Sequence, residues 1–276
     1  MPETPTVRST KSMPGFHVFG MKQRLAGPLP DRVSIHGARK VSEVVDQLSK
    51  RDVLISCAEA TTIALLKARL GHGHHSRSGQ LIVIEPPSAA SVSSLLGVFA
   101  EVLGLGVGSR FLPIGDLLKV VTSSDAAARF IGGDADPASE SLTLVRGNRE
   151  TIVLPFSFFE PSGEGTKPDF RQLTITDHGH TVALGEYEAA ADAILYETDP
   201  AYRRQLNKAR QASDRSFGAS LRRLRLQRRL QRGDFAGITA KTIARIERNE
   251  VDKPRGKTLA VIAERLGVAA TEIDSF

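Results

Sequence analysis

Phe217-Gly-Ala-Ser-Leu-Arg-Arg-Leu-Arg-Leu-Gln-Arg-Arg-Leu230 is followed by Arg232-Gly-Asp-Phe235, Gly237-Ile238 and then Thr239-Ala-Lys-Thr-Ile-Ala-Arg-Ile-Glu-Arg248. In the first segment Phe217, Leu221 and Leu224 fall at i, i+4 and i+7, with Leu230 at the helix end, so one apolar stripe is buried. Thr239 can cap the next helix, in which Ile243 and Ile246 face inward. A basic loop, Val251-Asp-Lys-Pro-Arg-Gly-Lys257, leads to a third helix over Thr258 to Leu266 that Gly267 stops, and Val268 and Ile273 supply the last core contacts. The periodicity predicts an all-α module at the end of the chain.

The charge singles out the same region. Arg203 to Lys257 holds 17 Lys or Arg against 5 Asp or Glu, a balance of +12 in a chain whose net charge is +6. The remainder sums to −6, so any polyanion contact belongs to the C-terminal part, and the body in front of it is ordinarily acidic.

Taken together, Leu-Arg-Arg-Leu-Arg, Gly-Ile-Thr, Thr-Ile-Ala-Arg-Ile-Glu-Arg, a Pro in the loop and Leu-x-x-Ile-Ala-x-x-Leu-Gly-Val resemble the lambda-repressor-like, Cro-type helix-turn-helix family, also known as the xenobiotic-response-element family. The resemblance covers residues 216 to 276. One departure lies between Phe235 and Gly237, where the usual second helix is shorter by about three residues, leaving a single turn. The position that usually carries a phosphate-contacting Gln holds Arg232.

An α-helix fits the major groove, and side chains at its N-terminal turn and outward face reach base edges. Here these are Thr239, Ala240, Lys241, Thr242 and Arg245. Lys241 or Arg245 could donate to guanine O6 and N7, Thr242 could bond a base or phosphate, and the Ala240 methyl could meet thymine. The resemblance makes Lys241 and Arg245 the expected base readers. Arg232, Arg248, Lys253, Arg255 and Lys257 suit phosphate contacts, with a solvated charge as the alternative for each. The resemblance also implies a structural ion pair between Arg225 and Glu247, which would lock the recognition helix at its angle to the first helix.

The rest of the 276 residues exceeds one common domain of about 100 to 150 residues. Residues 1–30 are rich in Pro, Thr, Ser and Lys and read as a flexible arm with one short strand near Phe16 to Phe19. Residues 31–135 alternate: helical spacing over Ser42 to Lys50, an apolar run Val53 to Cys57, a helix Ala58 to Leu70, and a second run Leu81 to Glu85 closed by Pro86-Pro87. That succession predicts an α/β region suited to dimerisation or sensing, with further helices over Ala89 to Leu103 and Ser123 to Ile131.

In residues 136–200 the period changes to two, at Leu142 to Arg146, Thr151 to Leu154, Leu173 to Asp177 and Thr181 to Leu184. Gly147-Asn148 and Asp177-His-Gly-His180 supply the turns, and an amphipathic helix is expected over Glu186 to Glu197. This small α+β unit resembles an uncharacterised domain found before repressor-type modules in some bacterial proteins, in its order of strand, Pro-containing loop, strand and helix. Asp199 to Arg215 reads as a helical connector, placed at 201–215, before the module at 216–276.

Other constellations point away from catalysis. Gly71-His-Gly-His-His75 lacks a paired acidic or cysteine ligand and reads as an exposed loop, and Asp177-His-Gly-His180 reads as a hairpin turn. Gly104-Leu-Gly-Val-Gly108 lacks the dinucleotide fingerprint and, following a helical run, reads as helix termination. The single cysteine, Cys57, excludes an intramolecular disulfide and a cysteine-based metal cluster, and its apolar neighbours predict a packed thiol.

Apolar runs break well before the roughly 18 residues of a membrane helix, and Met1 to Pro14 has no signal-peptide core. The expectation is a cytoplasmic, nucleoid-associated, non-enzymatic regulator of multidomain α/β plus α+β architecture, without metal or cofactor. It would bind double-stranded DNA as a homodimer, with a protein partner or small-molecule effector at the front domains. An antitoxin-like autoregulator and an enzyme with an operator-binding tail are the alternatives.

Overall fold

The alternation of short apolar runs with helical ones becomes a parallel sheet in the computed structural model of the chain, which describes residues 14–21, 25, 27–47, 49, 51–71, 77–161 and 165–275. The chain divides into two compact units between Thr198 and Asp199. In the first, strands β1 (Phe16–Phe19), β2 (Val33–His36), β3 (Val53–Ser56), β4 (Gln80–Val83) and β5 (Glu101–Leu103) lie in the order β2-β1-β3-β4-β5, all parallel. Helices α1 (Val41–Gln47), α2 (Glu59–Gly71) and α3 (Ala89–Val98) form the crossovers.

Phe19, Leu54, Leu81 and Val83 pack against Val45, Leu65 and Leu95 of these helices. Val53, Ile55 and Ile82, which alternate with them along the strands, are also fully buried. Burial on both faces is why β3 and β4 read as continuous apolar runs. Because β2 and β3 flank β1, the loops leaving β1 and β3 diverge at the carboxyl edge of the sheet.

Three expected helices are corrected, two of them in this stretch of the chain. The run from Ala89 is helical only to Val98; Phe99 is extended (φ −95°, ψ 146°), its N–H still bonded to the Leu95 carbonyl, and residues 101–103 join the sheet as β5. Ala100 N donating to the Gly79 carbonyl at 3.0 Å draws this segment to the edge of β4. Apolar content alone does not separate a buried helix from a short buried strand, so the reading ran on to Leu103. Likewise the helix expected over Ser123 to Ile131 is a 3-10 turn at Ala126–Ala128 running into a strand, and the helix, α4 (Ile114–Thr122), precedes it, starting after Pro113.

Antiparallel strands β6 (Arg110–Phe111), β7 (Phe130–Asp136), β8 (Ser141–Arg146) and β9 (Thr151–Pro155) make a four-stranded sheet. Its β7 pairs with β8 across the boundary expected at residue 136. A three-stranded sheet holds β10 (Leu173–Thr176), β11 (Thr181–Leu184) and β12 (Tyr187–Ala190), followed by α5 (Ala191–Thr198). The helix expected from Glu186 therefore begins at Ala191: Gly185, at φ +67°, reverses the chain, and Tyr187 to Ala190 pair back onto β11.

The second unit opens with α6 (Pro200–Ser213), capped by the Asp199 carboxylate, which accepts from Ala201 N and Tyr202 N. It continues with α7 (Phe217–Gln227), a 3-10 turn at Arg232–Asp234, α8 (Ala240–Glu247), α9 (Gly256–Leu266) and a last 3-10 turn at Ile273–Ser275. Its core is Phe217, Leu221, Leu224, Phe235, Ile243, Ile246, Ile262, Leu266 and Ile273. Gly267, in the left-handed region, ends α9.

Helices α7 and α8 touch at Gly218, where a Cβ would stand 2.1 Å from the Ile246 carbonyl oxygen and 2.5 Å from Asn249 Oδ1. Gly to Ala inside a helix ordinarily gains about 1 kcal/mol. At this crossing the sign reverses: Gly218→Ala should lose about 1 to 3 kcal/mol through forced separation of the helices, seen as a lower melting temperature by calorimetry.

Candidate nucleic-acid interface

The side chains that could meet DNA are presented by α8, whose position is set at both ends. At its start Thr239 Oγ1 accepts from Thr242 N at 3.1 Å and lies 2.9 Å from Thr242 Oγ1. This supplies the N-cap expected from the sequence and also occupies the Thr242 hydroxyl. Beyond its end Asn249 enters the left-handed region at φ 57°, and its Nδ2 donates to Ser216 Oγ, the cap of α7, at 2.8 Å. Ile243, Ala244, Ile246 and Glu247 are buried, leaving Lys241, Thr242, Arg245 and Arg248 on the exposed face.

Glu247 anchors that geometry. Arg225 of α7 donates from Nε to its Oε1 at 2.5 Å and from Nη2 to its Oε2 at 3.3 Å, while Nη1 donates to the Leu230 carbonyl at 2.8 Å. Arg232 of the 3-10 turn donates from Nε to Glu247 Oε2 at 2.8 Å. The Glu247 side chain is 1% exposed and that of Arg225 7%. Burial pushes the Glu247 carboxyl up, but hydrogen bonds from Arg225 and then Arg232, with their charges, outweigh it and hold it below its ordinary value. The pairing of Arg225 with Glu247 is thus present, and Arg232 joins it as a third member.

Arg232 keeps a 41% exposed side chain beside this contact. The shortened second helix is a single turn, but it lies at Arg232–Asp234, ahead of Phe235 rather than between Phe235 and Gly237, and Gln231 N donates to Asp234 Oδ2 at 2.7 Å across it. Lys241, Arg255 and Lys257 are exposed, and among the described residues no carboxylate stands within ion-pair distance of them. Lys253 is paired with Asp274, and its ammonium lies 5.3 Å above the Phe217 ring. Arg248 and Arg245 both face Glu250. Glu250 and Asp274 escaped the sequence reading, although the Arg248-Asn-Glu250 spacing, with Asn reversing the chain, was a legible signal.

In the first unit, Cys57 is half-buried, and burial raises its thiol to about 11. Asp177 and His178, both at φ 48°, make the turn between β10 and β11, with His178 Nδ1 3.2 Å from Asp116 Oδ1. His72, His74 and His75 lie outside the described residues. The Gly104 to Gly108 motif follows a strand, β5, rather than a helix. A Cβ at Gly104 would stand 2.1 Å from the Val83 carbonyl oxygen, and one at Gly106 2.2 Å from Asp134 Oδ2.

Compared with protein families, residues 221–273 match the family described as helix-turn-helix, of the lambda-repressor and Cro-like kind. No curated protein matches the chain, and no solved structure does.

Removing Glu247 would strand a buried guanidinium, so Glu247→Ala should cost the module about 3 to 5 kcal/mol, read from hydrogen exchange of the α7 and α8 amides. Because the folded carboxyl titrates below its ordinary 4.5, its ionisation stabilises the fold above that value. This contribution disappears as pH falls through the lower folded value. Acid-side loss of protection should therefore be steeper in the native chain than in Glu247→Gln.

Proposed function

We propose that the helix-turn-helix module of residues 221–273 makes this chain a sequence-specific transcriptional regulator that binds an operator as a homodimer. The observation that carries the reading is the outward face of α8, where Lys241, Thr242, Arg245 and Arg248 stand together on a helix fastened from behind at Glu247. A helix so presented fits the major groove, with Lys241 and Arg245 as base readers. Arg255 and Lys257, in the loop and first turn of α9, suit phosphates, as do Arg232, Arg248 and Lys253 through the parts of their side chains that their carboxylate partners leave exposed.

One small module makes few contacts, and modules of this type place two recognition helices in successive major grooves about 10 base pairs apart. Residues 1–198 are long enough to supply the dimer interface or a signal input. A cavity of about 390 Å³ at the carboxyl edge of the parallel sheet supports an effector role; it is lined by Gly20 and Met21 after β1, Cys57 after β3, Ile84 after β4, and Leu112 with Pro113. That edge, where the chain switches direction across the sheet, is where open α/β sheets bind ligands. The reading assigns no catalytic step to this unit and places the protein at the nucleoid. Among the described residues no helix is long and apolar enough to cross a membrane.

Genome-wide mapping of bound fragments, followed by binding assays on the recovered site, tests the proposal. Lys241→Ala should cost about 1 to 3 kcal/mol on the preferred site and relax one base pair. Lys257→Ala should weaken all duplexes alike and reduce the salt slope by roughly one. Equal losses on preferred and random DNA for both variants would remove the base-reading role, and a monomer saturating an asymmetric site would remove the dimer.

A further inference from the structure

Arg245 and Arg248, one turn apart on the outward face of α8, converge on a single carboxylate. Arg248 holds Glu250 by two bonds, Nε to Oε1 at 2.5 Å and Nη2 to Oε2 at 3.1 Å. The nearest approach of Arg245 to it is Nε, 3.8 Å from Oε2. The backbone makes this meeting: after the left-handed turn at Asn249, Glu250 N donates to the Arg245 carbonyl at 2.9 Å, which folds residue 250 back beside the helix it has just left. Hydrogen bonding from Arg248, then the charges of Arg248 and Arg245, keep the Glu250 carboxyl below its ordinary value and therefore ionised at neutral pH.

All three side chains are about half exposed, at 50%, 54% and 45%, and ion pairs so exposed contribute little to folding. The arrangement is more informative about binding. A guanidinium has five donors in a rigid fork, and bidentate recognition of guanine O6 and N7 can use the Nη pair. The nearest approach of Glu250 to Arg245 is at Nε, the edge of the fork away from Nη1, while Arg248 holds the carboxylate by two bonds.

Resting on the DNA-binding reading above, we propose that Glu250 is a positioning residue for sequence recognition: it buttresses Arg245 from its Nε side and so directs the outer edge of the guanidinium to a guanine. The same carboxylate lowers the attraction of Arg245 and Arg248 for phosphates of any sequence. It thus favours the one contact that carries information over those that do not.

Charge alone and position predict different outcomes for the ratio of affinities. A carboxylate that merely repelled DNA would, on removal, raise affinity for every duplex by the same factor. A buttress, on removal, lowers the ratio between preferred and altered sites. The experiment is selection of randomised duplexes by the full-length protein and by Arg245→Ala, Glu250→Gln and Glu250→Asp, followed by titration of the wild-type site, its single-base variants and a random duplex at several salt concentrations.

Arg245→Ala identifies the base pair that Arg245 reads. At that pair a bidentate contact discriminates roughly five- to hundredfold, and Glu250→Gln should reduce this to less than about threefold. The same variant should raise random-duplex affinity several-fold and steepen the salt slope by about 1 to 2 as the two cations reach phosphates. Glu250→Asp keeps the charge but shortens the reach, and should lose the discrimination without the gain on random DNA. An unchanged ratio in Glu250→Gln, a uniform gain on all duplexes, or no base pair relaxed by Arg245→Ala would overturn the buttress and leave the regulator reading standing. A wild-type chain that prefers no duplex would overturn both.

Discussion

A buried carboxylate with two guanidinium partners holds the C-terminal unit in its working shape. Glu247 is the last residue of α8, Arg225 belongs to α7, and Arg232 comes from the 3-10 turn between them. Three segments that already share the apolar core of Leu221, Leu224, Phe235, Ile243 and Ile246 are tied at one further, polar point, which bears on the angle at which α8 presents its outer face. Such a cluster offers little net stability over well-packed apolar groups, because desolvation offsets most of the Coulomb attraction. Its value is geometric. Directional bonds from two guanidinium groups on different segments restrict rotation of α8 more than an apolar contact of the same size would.

The C-terminal unit was the most legible part of the sequence because its signals are local. Phe217, Leu221 and Leu224 mark a face by spacing, Thr239 marks a start and Gly267 an end, and the structure realises each of them. The pairing of Arg225 with Glu247 links residues far apart in sequence and was reached only through family resemblance. Spacing within one helix carries no information about a partner on another.

In the front unit the same local rules fail where tertiary pairing decides. Phe99 to Leu103 and Phe130 to Ile131 are apolar enough for a buried helix or a buried strand, and hydrogen bonding to β4 and to β8 makes them extended. Tyr187 to Ala190 reads as the first turn of a helix until β11 is in place beside it. The cavity at the carboxyl edge was not legible at all, because its walls come from Gly20, Cys57, Ile84 and Leu112, four positions brought together only by strand order.

The loop that leaves β5 shows how unevenly a fold distributes its tolerance of change. Gly104 is pressed against the Val83 carbonyl and the Phe111 ring, and Gly106 against the Asp134 carboxylate, while Val107 between them and Gly108 is 92% exposed. Neither glycine has room for a methyl group as the chain stands, but the obstruction at Gly104 is the Val83 backbone carbonyl, whereas at Gly106 it is the carboxylate end of the Asp134 side chain. Under random drift, Val107 should wander freely through amino-acid space while Gly104 stays fixed and Gly106 changes only together with Asp134. The evolutionary record of this segment would then alternate between silence and noise, one residue at a time.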